Sequence, residues 1–140
     1  MKPAARKKAR TLALQALYSY LMSGNEMRQV ELAMATSNDM SQVDMEYFQA
    51  ILHGVDADPE AIDAAYKPYL GRLPEELDPI EKSIMRLATF ELIERIDTPF
   101  KVVINEAIEL AKTFGAEESH KFINGALDKA VKTLRKDERR

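Results

Sequence analysis

Apolar residues in this chain recur at three- and four-residue steps, and no stretch carries a convincing strand pattern. The clearest stripe covers residues 100–114. Phe100, Val103, Ile104, Ala107, Ile108, Ala111 and Phe114 share one helical face there, and that face must be buried. Ile123, Leu127, Ala130 and Leu134 continue the spacing on a second helix. They are joined at Gly115, and a connection this short makes the two helices neighbours in a hairpin.

The rest of the chain supplies helices to cover that hairpin. Pro3 can open a first helix that nothing breaks before residue 22, with Ala9, Ala13, Ala16, Leu17 and Tyr20 on its apolar face. Ser23-Gly24-Asn25 ends it. A poorly defined helix covers residues 26–35, and a polar loop follows over 36–41, where Asp39 or Ser41 is expected to cap the next helix. That helix runs to about His53 and buries Val43, Tyr47, Phe48, Ile51 and Leu52. Asp58-Pro59-Glu60 reads as a helix start and Lys67-Pro68 as its end. Residues 69–76, with Gly71 and Pro74, form an irregular connection. Asp78-Pro79-Ile80-Glu81 is a second start, with Glu81 placed to complete a capping box. Its helix, over residues 80–96, is apolar around much of its circumference and is therefore expected to be central. Gly125 falls inside the last helix, where close contact with a neighbouring helix would compensate its low propensity. The fold class is all-α, with about seven helices.

Length and composition narrow the function classes. A chain of 140 residues makes one domain, or two small subdomains sharing a core, and hides roughly 70% of its unfolded surface. Cysteine is absent, which removes disulfides, thiolate metal sites and a thiol nucleophile. No apolar run approaches the ~18 residues of a membrane span, and the N-terminus does not read as a signal peptide. A cytoplasmic protein is expected. His53 and His120 are far apart and have no ligand-spaced partners; there is no Gly-rich phosphate loop and no nucleophile elbow. Enzymatic readings therefore have little to stand on, and no metal or cofactor is expected.

Charge changes the picture more. The net charge is -3, yet Lys2, Arg6, Lys7, Lys8 and Arg10 all precede the first acid, Glu26. Residues 26–60 are strongly acidic, and the end turns basic again through Lys129, Lys132, Arg135, Lys136, Arg139 and Arg140. A chain so polarised can hold a local anion site while staying acidic overall. On the first helix, Lys7, Thr11, Gln15 and Tyr18 fall opposite the apolar face, with Lys8 and Arg10 at its margins. Arg6, Lys7 and Arg10 all lie outside the predicted core. Cations for phosphate beside an aromatic for a base suit single-stranded RNA. The plain alternative is a solvated basic end with a tyrosine lying over a neighbouring helix.

Several blocks carry a family resemblance. INEAIELAKTFGAEESHKFINGALDKA and PAARKKARTLALQALYSY, with KPYLGRLPEEL and LATFELIERIDTPFKVVINE between them, resemble the NusB family of bacterial transcription antitermination factors. The resemblance covers residues 2 to about 132 and is weakest over 23–45. It implies a single RNA-binding domain, residues 1–140, built as two packed three-helix bundles. It implies single-stranded boxA RNA as ligand, bound together with NusE, a small-subunit ribosomal protein. The RNA would be delivered to the elongating RNA polymerase with other Nus factors, notably on ribosomal RNA operons, with no cofactor and no reaction. The positions matching the family's RNA-contacting regions are Lys2, Arg6, Lys7, Arg10, Tyr18, Tyr69, Glu118 and Lys121, with Phe114 and Phe122 as further, looser matches. Lysines at positions 7 and 8 keep the attraction for phosphate but lose the planar fork of arginine.

Each position has an alternative. Phe114 continues a core stripe, and Phe122 next to Ile123 could be core or surface. Tyr69 lies between two helix breakers and reads as surface. Glu118 repels phosphate, so a direct role needs a base amino group or the orienting of Lys121. His120 could cap or pack. Glu81, with Glu75 and Tyr18, matches the region that meets NusE, a role that can coexist with the capping box. Two other classes stay open: a plain protein-interaction scaffold, and a fragment of a ribosomal-RNA cytosine methyltransferase that carries such a domain.

Overall fold

The structure is a computed structural model that describes residues 2–138; Arg139 and Arg140 of the basic end lie outside the described residues. Among the described residues there are seven α-helices and no strand. They are α1 (Pro3–Ser23), α2 (Met27–Ser37), α3 (Met45–Ala57), α4 (Pro59–Tyr66), α5 (Pro79–Glu94), α6 (Phe100–Phe114) and α7 (Ser119–Leu134). Two single turns of 3-10 helix, Lys67–Tyr69 and Pro74–Glu76, carry the chain from α4 to α5. A break after Asp58 divides the chain into two compact units.

In the N-terminal unit α1, α2 and α3 pack against one another. The small residues Ala9, Ala13 and Ala16 are buried on α1, and α3 answers with Tyr47, Phe48, Ile51, Leu52 and Val55. The cap of α3 is neither Asp39 nor Ser41 but Asp44, whose carboxylate accepts the Tyr47 N–H at 3.1 Å. Asp39 makes a turn of its own by accepting the Ser41 N–H at 2.9 Å. The sequence defines α2 poorly because it buries little, Met27 and Val30, and leaves Leu32 exposed.

In the C-terminal unit α5 is central, packing on α4, α6 and α7. All of its residues from Ser83 to Leu92 are buried. Of the two charged residues among them, Arg86 and Glu91, Arg86 donates twice to Asp63 of α4 at 2.9 Å. Tyr66 donates its phenol proton to the same carboxylate, and burial together with that anion pushes its pKa above the ordinary tyrosine range. α5 stops at Glu94, short of Ile96, which is 77% exposed. The reason lies on the segment after α7. There the Arg135 guanidinium donates to the carbonyls of Glu91, Leu92, Arg95 and Thr98 at 2.6–3.1 Å. A cation at the carbonyl end of a helix satisfies groups that a further turn would otherwise take.

α6 and α7 pack as the expected hairpin. Gly115 fits between them because a Cβ there would sit 2.8 Å from the Ala111 carbonyl oxygen. Gly125 differs from expectation. Apart from its chain neighbours and the backbone of its own helix, no atom lies within 4 Å of where its Cβ would be, so no neighbouring helix compensates it. It belongs to the outer face of α7, among the exposed Lys121, Asp128, Lys129 and Lys132.

Candidate nucleic-acid interface

The basic run of α1 separates into two kinds of cation. Arg10 is buried, 3% exposed, and its guanidinium carbon lies 5.2 Å from the centroid of the Tyr47 ring. Arg6 lies over the same ring at 4.4 Å, and its Nε approaches the Asp44 carboxylate at 3.4 Å. Asp44 also donates its own N–H to the Ala5 carbonyl, so the start of α3 is fastened to the start of α1. The expectation that Arg6, Lys7 and Arg10 all stand outside the core is thus corrected for Arg10. The ring of Tyr47 draws the arginines inward because a planar cation stacks on an aromatic face at little cost in hydration. Lys2, Lys7 and Lys8 remain exposed.

Lys7 and Lys8 border a groove of about 440 Å³, with Thr11 and Leu12 from α1 and Asn38, Asp39, Gln42 and Val43 from the α2–α3 connection. Asp39 is a fixed anion there. The backbone and side chain of Ser41, with Lys8 nearby, hold its carboxyl below the ordinary range. Tyr18 is 37% exposed further along α1. Asn38 and Gln42 join the groove without a sequence signal, since nothing in the spacing of a polar loop marks which of its amides will line a groove with Lys7 and Lys8.

The C-terminal unit assembles a second group. Tyr69 is half-buried on the turn Lys67–Tyr69, which packs against α7. At the start of α7, Glu118 and Lys121 pair at 3.2 Å with both side chains about 70% exposed, so solvent screens the contact and Lys121 can exchange it for a phosphate at small cost. Phe122 and Phe114 are half-buried. Phe114 therefore sits at the margin of its stripe rather than within it. His120 is also half-buried. Arg72, absent from the expectations, lies 3.7 Å from the centroid of Phe122. The signal available for it was a cation directly after Gly71 in a segment bounded by prolines.

Glu81 is buried, 7% exposed. The capping box is present, with Glu81 N–H donating to Asp78 at 2.8 Å and Asp78 N–H donating to Glu81 at 3.2 Å. Its other oxygen accepts the Ser119 hydroxyl at 2.9 Å, which ties the start of α5 to the start of α7. Glu75 is exposed on the turn Pro74–Glu76. Among the described residues no three His, Asp or Glu side chains group as a metal site, and no helix is long and apolar enough to cross a membrane.

These arrangements offer cations, phenols and an arginine–aromatic stack, the donors that nucleic acid engages. The chain is 72% identical over 139 residues to the transcription antitermination protein NusB of Alteromonas mediterranea, covering 99% of each chain. It is 67% identical over 138 residues to the protein of that name from Pseudoalteromonas atlantica, again covering 99% of each. A solved structure of T. maritima NusB superposes with a TM-score of 0.80 at 29% identity, covering 91% of each chain. A crystal structure of the antitermination factors NusB and NusE with double-stranded RNA shares the fold, with a TM-score of 0.81 at 24% identity, covering 94% of this chain and 98% of that one. The NusB family model itself matches residues 7–132, and the chain belongs to the NusB family.

Proposed function

We propose that this protein is a non-enzymatic, RNA-binding antitermination factor that acts in the cytoplasm. It binds boxA-like single-stranded RNA together with NusE and passes the pair to the elongating RNA polymerase and its other Nus factors, notably on ribosomal RNA operons. The observation that carries this reading is the exposed set of Lys2 at the N-cap of α1 and Lys7 and Lys8 on its first turns, with Lys7 on the same helical face as the exposed Tyr18. The near relatives bear the name of a transcription antitermination protein, and the NusB of a more distant structure was crystallised with NusE and RNA.

Residue roles divide accordingly. Lys2, Lys7 and Lys121 contact phosphate, Tyr18 and Tyr69 stack on bases, and Glu118 orients Lys121. Arg6 and Arg10 shape α1 from beneath. Glu75 and Tyr18 meet NusE, and Glu81 holds the local geometry through its cap and Ser119.

Fluorescence anisotropy with a labelled boxA-type strand tests this, using a scrambled strand and a duplex as controls, with and without NusE, across a salt series. The expected result is preference for the boxA strand, strengthened by NusE and weakened steeply by salt. Replacing Lys2, Lys7 and Lys8 with glutamate abolishes binding and leaves the circular dichroism of the helices intact. Equal affinity for boxA and scramble, even with NusE, overturns the reading.

A further inference from the structure

We propose that Arg72, held on Phe122, is a base-stacking platform for single-stranded RNA, an inference that rests on the RNA-binding reading above. The guanidinium carbon lies 3.7 Å from the ring centroid, a van der Waals contact over the ring. The guanidinium therefore rests on the ring, yet 36% of the side chain is still exposed. A planar, delocalised cation with a solvent-facing side is what an unstacked nucleobase seeks, because the base gains dispersion and cation–π contact without the loss of a tightly held hydration shell.

The platform is built rather than incidental. Gly71 precedes it in the left-handed region at φ 70°, which turns the chain so that the next side chain runs back over α7. The Glu81 carboxylate lies 4.0 Å from Arg72 Nη1 and accepts the Ser119 hydroxyl at the start of α7. One buried carboxylate thus steadies both the loop that carries the arginine and the helix that carries the phenylalanine. These contacts restrict the side chain before any ligand arrives, which lowers the entropy cost of stacking a base on it. Lys121, one residue before Phe122 and 69% exposed, supplies a cation for the phosphate beside such a base.

The test combines two variants with an abasic scan of the RNA. Arg72→Lys keeps the charge and loses the plane; Arg72→Ala loses both. Affinities for the boxA-type strand are measured for the full chain by anisotropy over a salt series, with strands lacking one base at each position in turn. Melting by circular dichroism accompanies each variant. The expected outcome has three parts. Arg72→Lys weakens binding about fivefold or more, the lower end of one base–aromatic stack. Its salt dependence matches that of the unchanged protein. One of the abasic positions that weaken binding to the unchanged protein no longer weakens binding to Arg72→Lys, while the others keep their penalty.

Other outcomes overturn the proposal. Full binding by Arg72→Lys, with Arg72→Ala weaker and its salt slope shallower by about one, assigns Arg72 to a phosphate instead. Unchanged binding by both variants removes it from the interface. Weaker binding with every abasic penalty retained makes it a scaffold residue. If the unchanged protein binds no RNA, the parent reading falls, and this proposal with it.

Discussion

Both units lay guanidinium groups on an aromatic ring, and the two rings differ in burial. Tyr47 is fully buried in the N-terminal unit, under Arg6 and the buried Arg10, with Asp44 beside them. Phe122 in the C-terminal unit is half-buried, and the Arg72 above it keeps about a third of its side chain in water. The same pair of groups therefore has two uses. A desolvated stack contributes about 2 kcal/mol to stability, whereas an exposed one contributes about 0.5–1 kcal/mol and leaves a face for a ligand. Counting arginines along α1 would place the binding surface where the arginines are. Burial moves it to the lysines.

The largest expected effect comes from removing the buried ring. Tyr47→Ala should destabilise the protein by about 3–5 kcal/mol, because it opens a cavity and strips the buried Arg10 and the half-buried Arg6 of their partner. Denaturant unfolding checks it, and a loss below about 1 kcal/mol would mean the N-terminal stack is no more structural than the exposed one. Arg135→Ala should follow, at about 3 kcal/mol. It is 6% exposed and donates to four carbonyls around the end of α5; those of Glu91 and Arg95 also accept backbone N–H groups, so the loss falls mainly on those of Leu92 and Thr98. Arg72→Ala sits at the other end of the comparison, with an expected loss of about 0.5–1 kcal/mol in the same assay. A loss as large as that of Arg135→Ala would show Arg72 to be a buried strut in effect, and would weaken the case that it waits for a base.

How much of this was legible in the sequence follows from the range of the forces involved. Helix starts at Pro3, Pro79 and Phe100, the hairpin about Gly115 and the central place of α5 depend on local caps and on the circumference of one helix. Those are readable from spacing. The capping box of Glu81 is local too, but its bond to Ser119 spans 38 positions and had no sequence signal. Likewise, Arg10 is drawn inward by a ring 37 positions away, which a helical wheel of α1 cannot contain. Gly125 fails in the opposite sense. A glycine inside a helix implies a compensating contact, and α7 has none there. Gly125→Ala should accordingly stabilise the protein by about 0.4–1 kcal/mol, seen as a raised melting temperature. A lowered one would mean that another molecule, or a hidden contact, occupies that face.

The smallest expected effect concerns the rim of the Arg135 cluster and is read through pH. Glu138 pairs with Arg135 and accepts the Phe100 N–H at 3.0 Å, capping the start of α6. Burial by itself raises the proton affinity of its carboxyl, but the Phe100 N–H and the Arg135 cation outweigh it and hold the carboxyl below the ordinary glutamate range. The unfolded chain then binds the proton more readily than the folded one. The stability this contributes is present above the ordinary glutamate range and is lost as pH falls through the folded value. Glu138→Gln should therefore melt lower than the unchanged protein at neutral pH, with the gap closing in acid. A gap that stays constant across pH would mean that the shape of the side chain, rather than its charge, holds the end of the chain to α6. Such a result would place Glu138 with the packing groups, and leave Arg135 satisfied by carbonyls alone.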